Sequence, residues 1–381
     1  MTAFFTSPSI AWGPGAVEQL SGLGARRAFV LVDPEVGRRS GHLRALEELG
    51  KSDTVIEVVS DTEAPDEAST AARLRDRIRA FDPDWIVAIG GGRTIDLAKG
   101  ARLAFERPDL DLDAPPAVLG MPEPTRTRLA AIPTTSGSGS EVSWTVDLFS
   151  SAGAPLELAD RALVPHWALV DGTFALSLPP TEIVSGALEA AALATEAYLS
   201  AWANPFSDAL AVYAVSTVVA RLPHAVRWSD DPEARTLLHY AATAAGLAAS
   251  NAQRGIAHAL ARALVRPAEL SYGRLLAIAL PHVLEFDRPS ARERIEALGA
   301  VAAPSDESPR LSFAVRLRRL YDGLGIPATL SAAGVSAERI RGVRDRIAAD
   351  VLRSPATLAN PRVPGVDDVR RLLDAVVGTT G

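Results

Sequence analysis

The chain has no cysteine. That absence excludes disulfides, thiolate metal sites and cysteine nucleophiles together. Basic charge is also scarce: 39 Lys and Arg stand against 46 Asp and Glu, a net charge of -7. A surface that neutralises phosphates needs the opposite balance, so nucleic acid is not an expected partner. Residues 1–20 hold neither a basic stretch nor a long apolar run, and no secretory signal is expected. Nor does any apolar run read as long enough to cross a membrane. The Ala-rich stretch 186–203 is broken by Glu189 and Glu196 and reads as a packed helix. A membrane is therefore not an expected partner, and the expected location is the cytoplasm. No internal repeat is visible.

What is present is the composition of a globular protein, with 48% hydrophobic and 22% charged residues. The 381 residues are enough for two domains. The first half alternates short apolar runs with amphipathic stretches. Strands are expected at 28–32, 55–59, 85–89 and 129–132, and helices at 43–49, 67–81 and 95–105. Near-continuous apolar strands separated by helices predict a parallel sheet covered on both faces. After Pro179-Pro180 helical periodicity takes over, with helices expected at 181–203, 206–221, 232–250, 255–265, 273–286 and 366–377. The expected domains are 1–178 and 179–381. Ser305–Arg310 is polar and reads as a loop.

Two segments carry chemistry. Gly90-Gly91-Gly92-Arg93-Thr94-Ile95-Asp96-Leu97-Ala98-Lys99 follows a buried strand and opens a helix. Glycines there let backbone approach an anion at a helix N-terminus, as a pyrophosphate cradle requires; a plain tight turn would use them too. The spacing is not G-x-G-x-x-G, so it leaves the ligand open. Ile132-Pro133-Thr134-Thr135-Ser136-Gly137-Ser138-Gly139-Ser140-Glu141-Val142 follows another strand. Small hydroxyls between glycines suit hydrogen bonds to ribose, phosphate or an amide; a linker is the alternative. Asp33 closes the first of these strands, where a carboxylate can bind ribose hydroxyls and repel a 2′-phosphate, or simply form an Asp-Pro turn.

Together these segments resemble the G-G-G-S-x-x-D-x-A-K and I-P-T-T-x-G-T-G-S-E-V motifs of the iron-containing alcohol dehydrogenases. Glu196-Ala197-Tyr198 with Asn204-Pro205 resembles that family's E-A-Y…N-P, and Leu280-Pro281-His282-Val283 and Asn360-Pro361-Arg362 match in order. The resemblance spans nearly the whole chain. It implies an α/β fold: an N-terminal Rossmann-like nucleotide-binding domain, a C-terminal all-α domain, and an active site in the cleft between them, as also in dehydroquinate synthase. It implies a nicotinamide dinucleotide as cofactor, and Asp33 makes NAD the expected one over NADP. The implied contacts come from Asp33, Gly91, Gly92, Thr94, Thr134, Thr135 and Ser138, with Asp96 and Lys99 of the same motif as further candidates. Dimers are frequent in the family, which implies a homodimer.

The resemblance fails at the metal. With one Asp and three His the family holds a divalent ion that polarises the substrate oxygen. Aligned on Glu196-Ala197-Tyr198, the first two positions are Glu189 and Leu193; aligned on His258-Ala259-Leu260-Ala261-Arg262 and Tyr272-Gly273, the others are His258 and Tyr272. Arg262 replaces a neighbouring family His. Leu cannot ligate, and a neutral phenol is a poor ligand, so no tightly bound metal is expected. A Lys that many relatives carry is also missing at Gly153-Ala154-Pro155. The surviving polar set suggests a replacement: His258 as acid/base, Glu189 orienting it, Arg262 stabilising an oxyanion or binding a carboxylate, and Tyr272 donating a proton. A bland reading stands beside it, with His258 a remnant and Arg262–Glu189 a structural ion pair. Arg254 would extend a basic pocket if the helix began before it.

Three functions follow from this pattern. The first is an NAD(P)(H)-dependent oxidoreductase acting, without metal, on a small carbonyl or alcohol substrate, anionic ones included. The second is a non-redox lyase, cyclase or isomerase on the same scaffold. The third is a catalytically dead homologue acting as a binding partner. Fold alone does not choose between them.

Overall fold

The computed structural model describes residues 8–38, 42–60, 67–115, 119–122, 125–302 and 312–379. The polar segment Ser305–Arg310 lies outside them. The chain divides into two compact units, one running to Leu178 and the other from Pro179.

The first unit contains strands β1 (Ser9–Trp12), β2 (Arg27–Val32), β3 (Val55–Val59), β4 (Trp85–Gly90), β5 (Arg128–Pro133), β6 (Thr145–Phe149), β7 (Pro155–Ala159) and β8 (Trp167–Val170). Its helices are α1 (Pro34–Arg38), α2 (Leu43–Gly50), α3 (Glu67–Phe81) and α4 (Gly92–Glu106). Six strands form a sheet in the order β1-β8-β5-β4-β2-β3, every pair of them parallel. The period of two sorts each strand's side chains onto opposite faces. Phe29, Leu31, Ile86, Ala88, Leu129 and Ala131 join the core that includes Ala71, Leu74 and Ile78 of α3 and Ile95 of α4. Ala28, Val30, Val32, Val87, Ile89 and Ile132 join the other, with Val17, Leu20, Ala45 and Leu49. Both faces are covered, which is why these strands read as unbroken apolar runs.

Setting aside β1, the sheet follows the doubly wound order 2-1-3-4-5. The chain leaves β2 for β3 on one side and returns to β4 on the other. The switch point therefore lies between the carboxyl ends of β2 and β4, where such sheets bind ligands. The antiparallel pair β6–β7 was not visible in the sequence. The Gly153-Ala154-Pro155 segment is its turn and the start of β7.

The second unit is helical among the described residues: α5 (Pro180–Leu199), α6 (Pro205–Arg227), α7 (Pro232–Ala252), α8 (Ile256–Ala268), α9 (Tyr272–Val301), α10 (Phe313–Gly323), α11 (Ala337–Arg341), α12 (Arg344–Arg353), α13 (Ala356–Ala359) and α14 (Val366–Val377). Pro180, Pro205 and Pro232 each begin a helix, where a missing N–H costs nothing. Asn204 accepts from the N–H groups of Phe206 and Ser207 and closes a capping box with Ser207 on α6. α9 kinks at Ala291, two residues after Pro289. Alanines dominate the buried faces of α5 and α7 and let these helices approach α6 closely.

One expectation needs correcting here. α6 is long and apolar enough to cross a bilayer by length and composition. The sequence reading missed it because Asp208, Arg221 and Arg227 break the run only near its ends. In the structure α6 packs against α5 and α7, burying Ala211, Ala214, Val215, Val218 and Leu222.

Candidate active site

The carboxyl ends of β2, β4 and β5 gather the cofactor candidates. α4 opens at Gly91 with no side-chain cap, so its first N–H groups are left for a ligand. Asp33 follows β2; its Oδ1 accepts from the Glu35 N–H (2.9 Å) and its Oδ2 from the Thr94 hydroxyl (3.2 Å). That second bond spans the switch point and fixes a carboxylate beside the start of α4. Thr134 leaves β5 with its N–H on the Gly90 carbonyl (3.0 Å), which brings the Thr134–Ser140 loop beside the glycines. A Cβ on Gly91 would lie 3.1 Å from the Thr135 side chain, and one on Gly92 would lie 2.7 Å from Ser138 Cβ. Glycine is required here by close approach of two loops, which sets backbone N–H groups beside small hydroxyls. Asp33, Gly91, Gly92, Thr94, Thr134, Thr135 and Ser138 are thus brought together, and the arrangement fits a dinucleotide.

Lys99 departs from its expected role. It is fully buried, and its ammonium donates to the Ser143 carbonyl (2.9 Å), the Ser143 hydroxyl (3.1 Å) and the Thr145 carbonyl (3.0 Å). All three donors are engaged inside the unit, so Lys99 holds the start of β6 to α4 and has none left for a cofactor. Burial pushes its pKa down, while Asp96, Glu141 and Asp147 pull it back up. Asp96 belongs to the same internal set: it lies 3.6 Å from the Lys99 ammonium and accepts from the Asp147 N–H (3.2 Å).

In the helical unit the polar residues converge on the start of α8. His258 is 3% exposed and sits in its first turn. Glu196 on α5 supplies two contacts: Oε1 accepts from the Ala257 N–H (2.6 Å), and Oε2 is hydrogen-bonded to His258 Nδ1. Asn360 supplies a third, its Oδ1 accepting from the Ile256 N–H (3.2 Å). Asn360 Nδ2 donates in turn to Asp287 Oδ1 on α9 (2.6 Å). Burial raises the Asp287 carboxyl to about 8, with the Glu196 charge adding to the rise. Tyr272 begins α9; its ring meets the His258 ring edge-on at 5.9 Å, and its hydroxyl donates to the His258 carbonyl (3.4 Å). Gly273 seats this end of α9 on α5, because a Cβ there would fall 2.6 Å from the Ser185 carbonyl carbon.

The carboxylate hydrogen-bonded to His258 is Glu196 and not Glu189. Glu189 lies two turns earlier on α5, half-buried, and no described bond links it to His258. Sequence reasoning used Glu196 only as an alignment anchor. Its signal was present: a carboxylate in the middle of the apolar run Ala190–Leu199 has to find a partner. Arg262 follows His258 by one turn on α8 and is half-buried. Arg254 precedes α8, which starts only at Ile256, and so does not share its face.

Comparison with known proteins accords with this geometry. Residues 7–172 match the iron-containing alcohol dehydrogenase model, and residues 183–377 match the C-terminal model of the Fe-containing alcohol dehydrogenase family. The chain belongs to the iron-containing alcohol dehydrogenase family. It is 29% identical to an NADPH-dependent butanol dehydrogenase of Clostridium saccharobutylicum, over 98% of this chain and 97% of that one. It is 28% identical to the bifunctional aldehyde-alcohol dehydrogenase of Escherichia coli, where 94% of this chain matches but spans only 44% of that protein. The structure of an iron-containing alcohol dehydrogenase from Thermococcus thioreducens superposes with a TM-score of 0.88 at 27% identity, covering 98% of this chain and 99% of that one. The chain is thus an oxidoreductase of the alcohol dehydrogenase type, with that family's fold.

The metal that names the family does not fit the residues present. Of the four aligned positions, Leu193 is a buried hydrocarbon, Tyr272 a phenol, and only Glu189 and His258 are ordinary ligands. Among the described residues, no three His, Asp or Glu side chains gather closely enough to hold an ion.

Proposed function

We propose that this family member is an NAD(H)-dependent oxidoreductase of a small carbonyl or alcohol that works without a catalytic metal. The observation that carries the reading is His258: buried, held at Nδ1 by Glu196, and flanked by Tyr272, where aligned metal positions have become Leu193 and Tyr272. A nicotinamide dinucleotide supplies or accepts the hydride. The Gly91–Gly92 turn binds its pyrophosphate through backbone N–H groups, and Asp33 favours the unphosphorylated ribose. The similar butanol dehydrogenase is NADPH-dependent, so this preference rests on Asp33 alone.

His258 handles the proton. With Nδ1 donating to Glu196, Nε2 is the atom that exchanges a proton with the substrate oxygen. In the reducing direction Nε2–H would give its proton to the carbonyl oxygen as charge develops there. Glu196 stabilises the imidazolium from which that proton leaves. Arg262, a permanent cation, takes the oxyanion-stabilising role a metal has elsewhere and favours an anionic substrate. Tyr272 packs the ring and fixes its plane; Glu189 completes the polar lining. We further propose two compact domains, 1–178 and 179–381, a homodimer and a cytoplasmic location.

The test is purification without added metal, followed by metal analysis, NADH and NADPH titration, and NADH oxidation with a panel of carbonyls that includes keto acids. The reading requires NADH binding and turnover at sub-stoichiometric metal, with activity insensitive to chelator and lost in His258→Ala. One equivalent of iron or zinc that activity tracks would sink it, as would turnover with no net change in NADH.

A further inference from the structure

At the amino ends of the strands, away from the glycine turns, the α/β unit holds a cavity of about 650 Å³. Trp85 starts β4, Arg128 starts β5 and Trp167 starts β8; all three line it, together with Arg102, Arg161 and His166. Among the described residues, three arginines and no carboxylate line this space. The proposed reaction makes no use of His166.

The cations have different tasks. Arg102 is buried, and its guanidinium donates to the Thr127 carbonyl (3.0 Å), the Ala162 carbonyl (2.8 Å) and the Thr125 hydroxyl (2.9 Å). It contributes charge and a fixed wall. Arg128 is exposed, and its guanidinium lies over the Trp85 ring, 5.7 Å from the centroid. Stacking uses the face of a guanidinium and leaves its N–H edge for a planar oxyanion. Among the described residues, its side chain has no hydrogen-bond or ion-pair partner. His166 Nδ1 accepts from the Leu129 N–H (3.1 Å), which puts the proton of the neutral ring on Nε2. The ring stays neutral at pH 7, because burial and then Arg102 and Arg128 bring its pKa down to about 4. The His166 ring also meets Trp85 edge-on at 6.1 Å, so imidazole, indole and guanidinium lie together along one partly exposed wall.

We infer that this cavity is a second ligand site, taking a small organic oxyanion whose carboxylate or phosphate is forked by Arg128 and whose flat body lies along Trp167. A guanidinium edge and an imidazole N–H match an oxyanion, whereas a cation would meet like charge and a neutral ligand would leave the arginine charge uncompensated. The site needs no cofactor, and it stands or falls separately from the redox reading.

The experiment is calorimetry and tryptophan fluorescence on the full chain with inorganic phosphate, phenyl phosphate and benzoate, at ionic strength fixed with chloride. Saturable binding of phenyl phosphate or benzoate tighter than inorganic phosphate is expected; whichever of the two wins names the head group. Arg128→Gln should weaken it roughly tenfold, the loss of one charge-assisted pair. His166→Gln should weaken it less, and NADH affinity should not change in either variant. Heats that do not saturate, binding indifferent to Arg128→Gln, or displacement of the probe by NADH would each overturn the inference.

Discussion

Replacing Asp287 with Asn should make the helical unit lose its usual sensitivity to rising pH. Asp287 is 2% exposed and accepts from Asn360, which also caps α8 next to His258. Burial, and after it the nearby Glu196 charge, raises its carboxyl from 3.8 to about 8. The folded chain then keeps a proton that the unfolded chain releases near pH 4. Stability is greatest below the unfolded value and falls as pH climbs toward 8, at ~1.4 kcal/mol per pH unit. Between pH 6 and pH 8 the loss integrates to ~2.3 kcal/mol, and above pH 9 it levels off because both states are then ionised. Asn keeps the acceptor for Asn360 and cannot ionise. Urea unfolding of the wild type and Asp287→Asn, followed by helical circular dichroism at pH 6, 7 and 8, reads the difference directly. The variant should gain ~2 kcal/mol on the wild type across that range. A constant difference would mean that Asp287 is already ionised in the fold, and the buried Asn360–Asp287 contact would need another account.

Three further substitutions test the site's construction. Glu196→Gln keeps an acceptor for the Ala257 N–H but removes the charge beside His258; kcat should fall roughly 10–100-fold with NADH affinity unchanged. A fall in NADH binding instead would show that Glu196 acts on the fold as a whole. Gly92→Ala pushes a methyl to 2.7 Å from Ser138 Cβ, so NADH affinity measured by fluorescence should drop about tenfold or more, and Ser138→Gly in the same chain should restore part of it. Gly273→Ala sets a methyl 2.6 Å from the Ser185 carbonyl carbon, and backbone cannot rotate aside as a side chain can. A stability loss of about 2–4 kcal/mol is expected in urea, with α/β-unit NADH binding intact.

The α/β unit was legible because its signals are local. Val30, Val87 and Ile132 lie in apolar runs that can only be doubly covered strands, and each run ends in the loop that carries the chemistry. The pair β6–β7 escaped because both strands are only five residues long and β7 does not alternate, although in β6 Val146 and Leu148 are buried between half-buried Thr145 and Asp147. In the helical unit the helices were legible but their ends were not: α9 runs on past Pro281 and Pro289 because tertiary packing outweighs the local cost of proline. Lys99 was misread for a different reason. A lysine in a glycine-rich motif looks like a phosphate ligand, and nothing local shows that Ser143 and Thr145 fold back to take all of its donors.

The helical motifs have a common physical meaning that spacing alone hides: they are the fittings of helix ends. Asn204 caps α6. Glu196 and Asn360 share the first N–H groups of α8. Tyr198 underlies the Arg294 guanidinium at 4.1 Å, and Arg362 lies over the Phe286 ring at 4.1 Å while donating to the Phe286 carbonyl and to Asp368. Two of these fittings meet at one point, the turn that presents His258. Buried carboxylates are costly unless paired, and Glu196 and Asp287 lie in the same network as His258. If His258 were only a relic of a lost metal, that cost would bring no return, and an apolar core such as Leu193 already provides at the neighbouring position would be the more stable filling. The polar network therefore argues for a working histidine. Its wholesale apolar replacement, His258→Leu with Glu196→Leu, should abolish turnover while leaving the α8 start either intact or weakened by no more than the lost cap, about 1 kcal/mol.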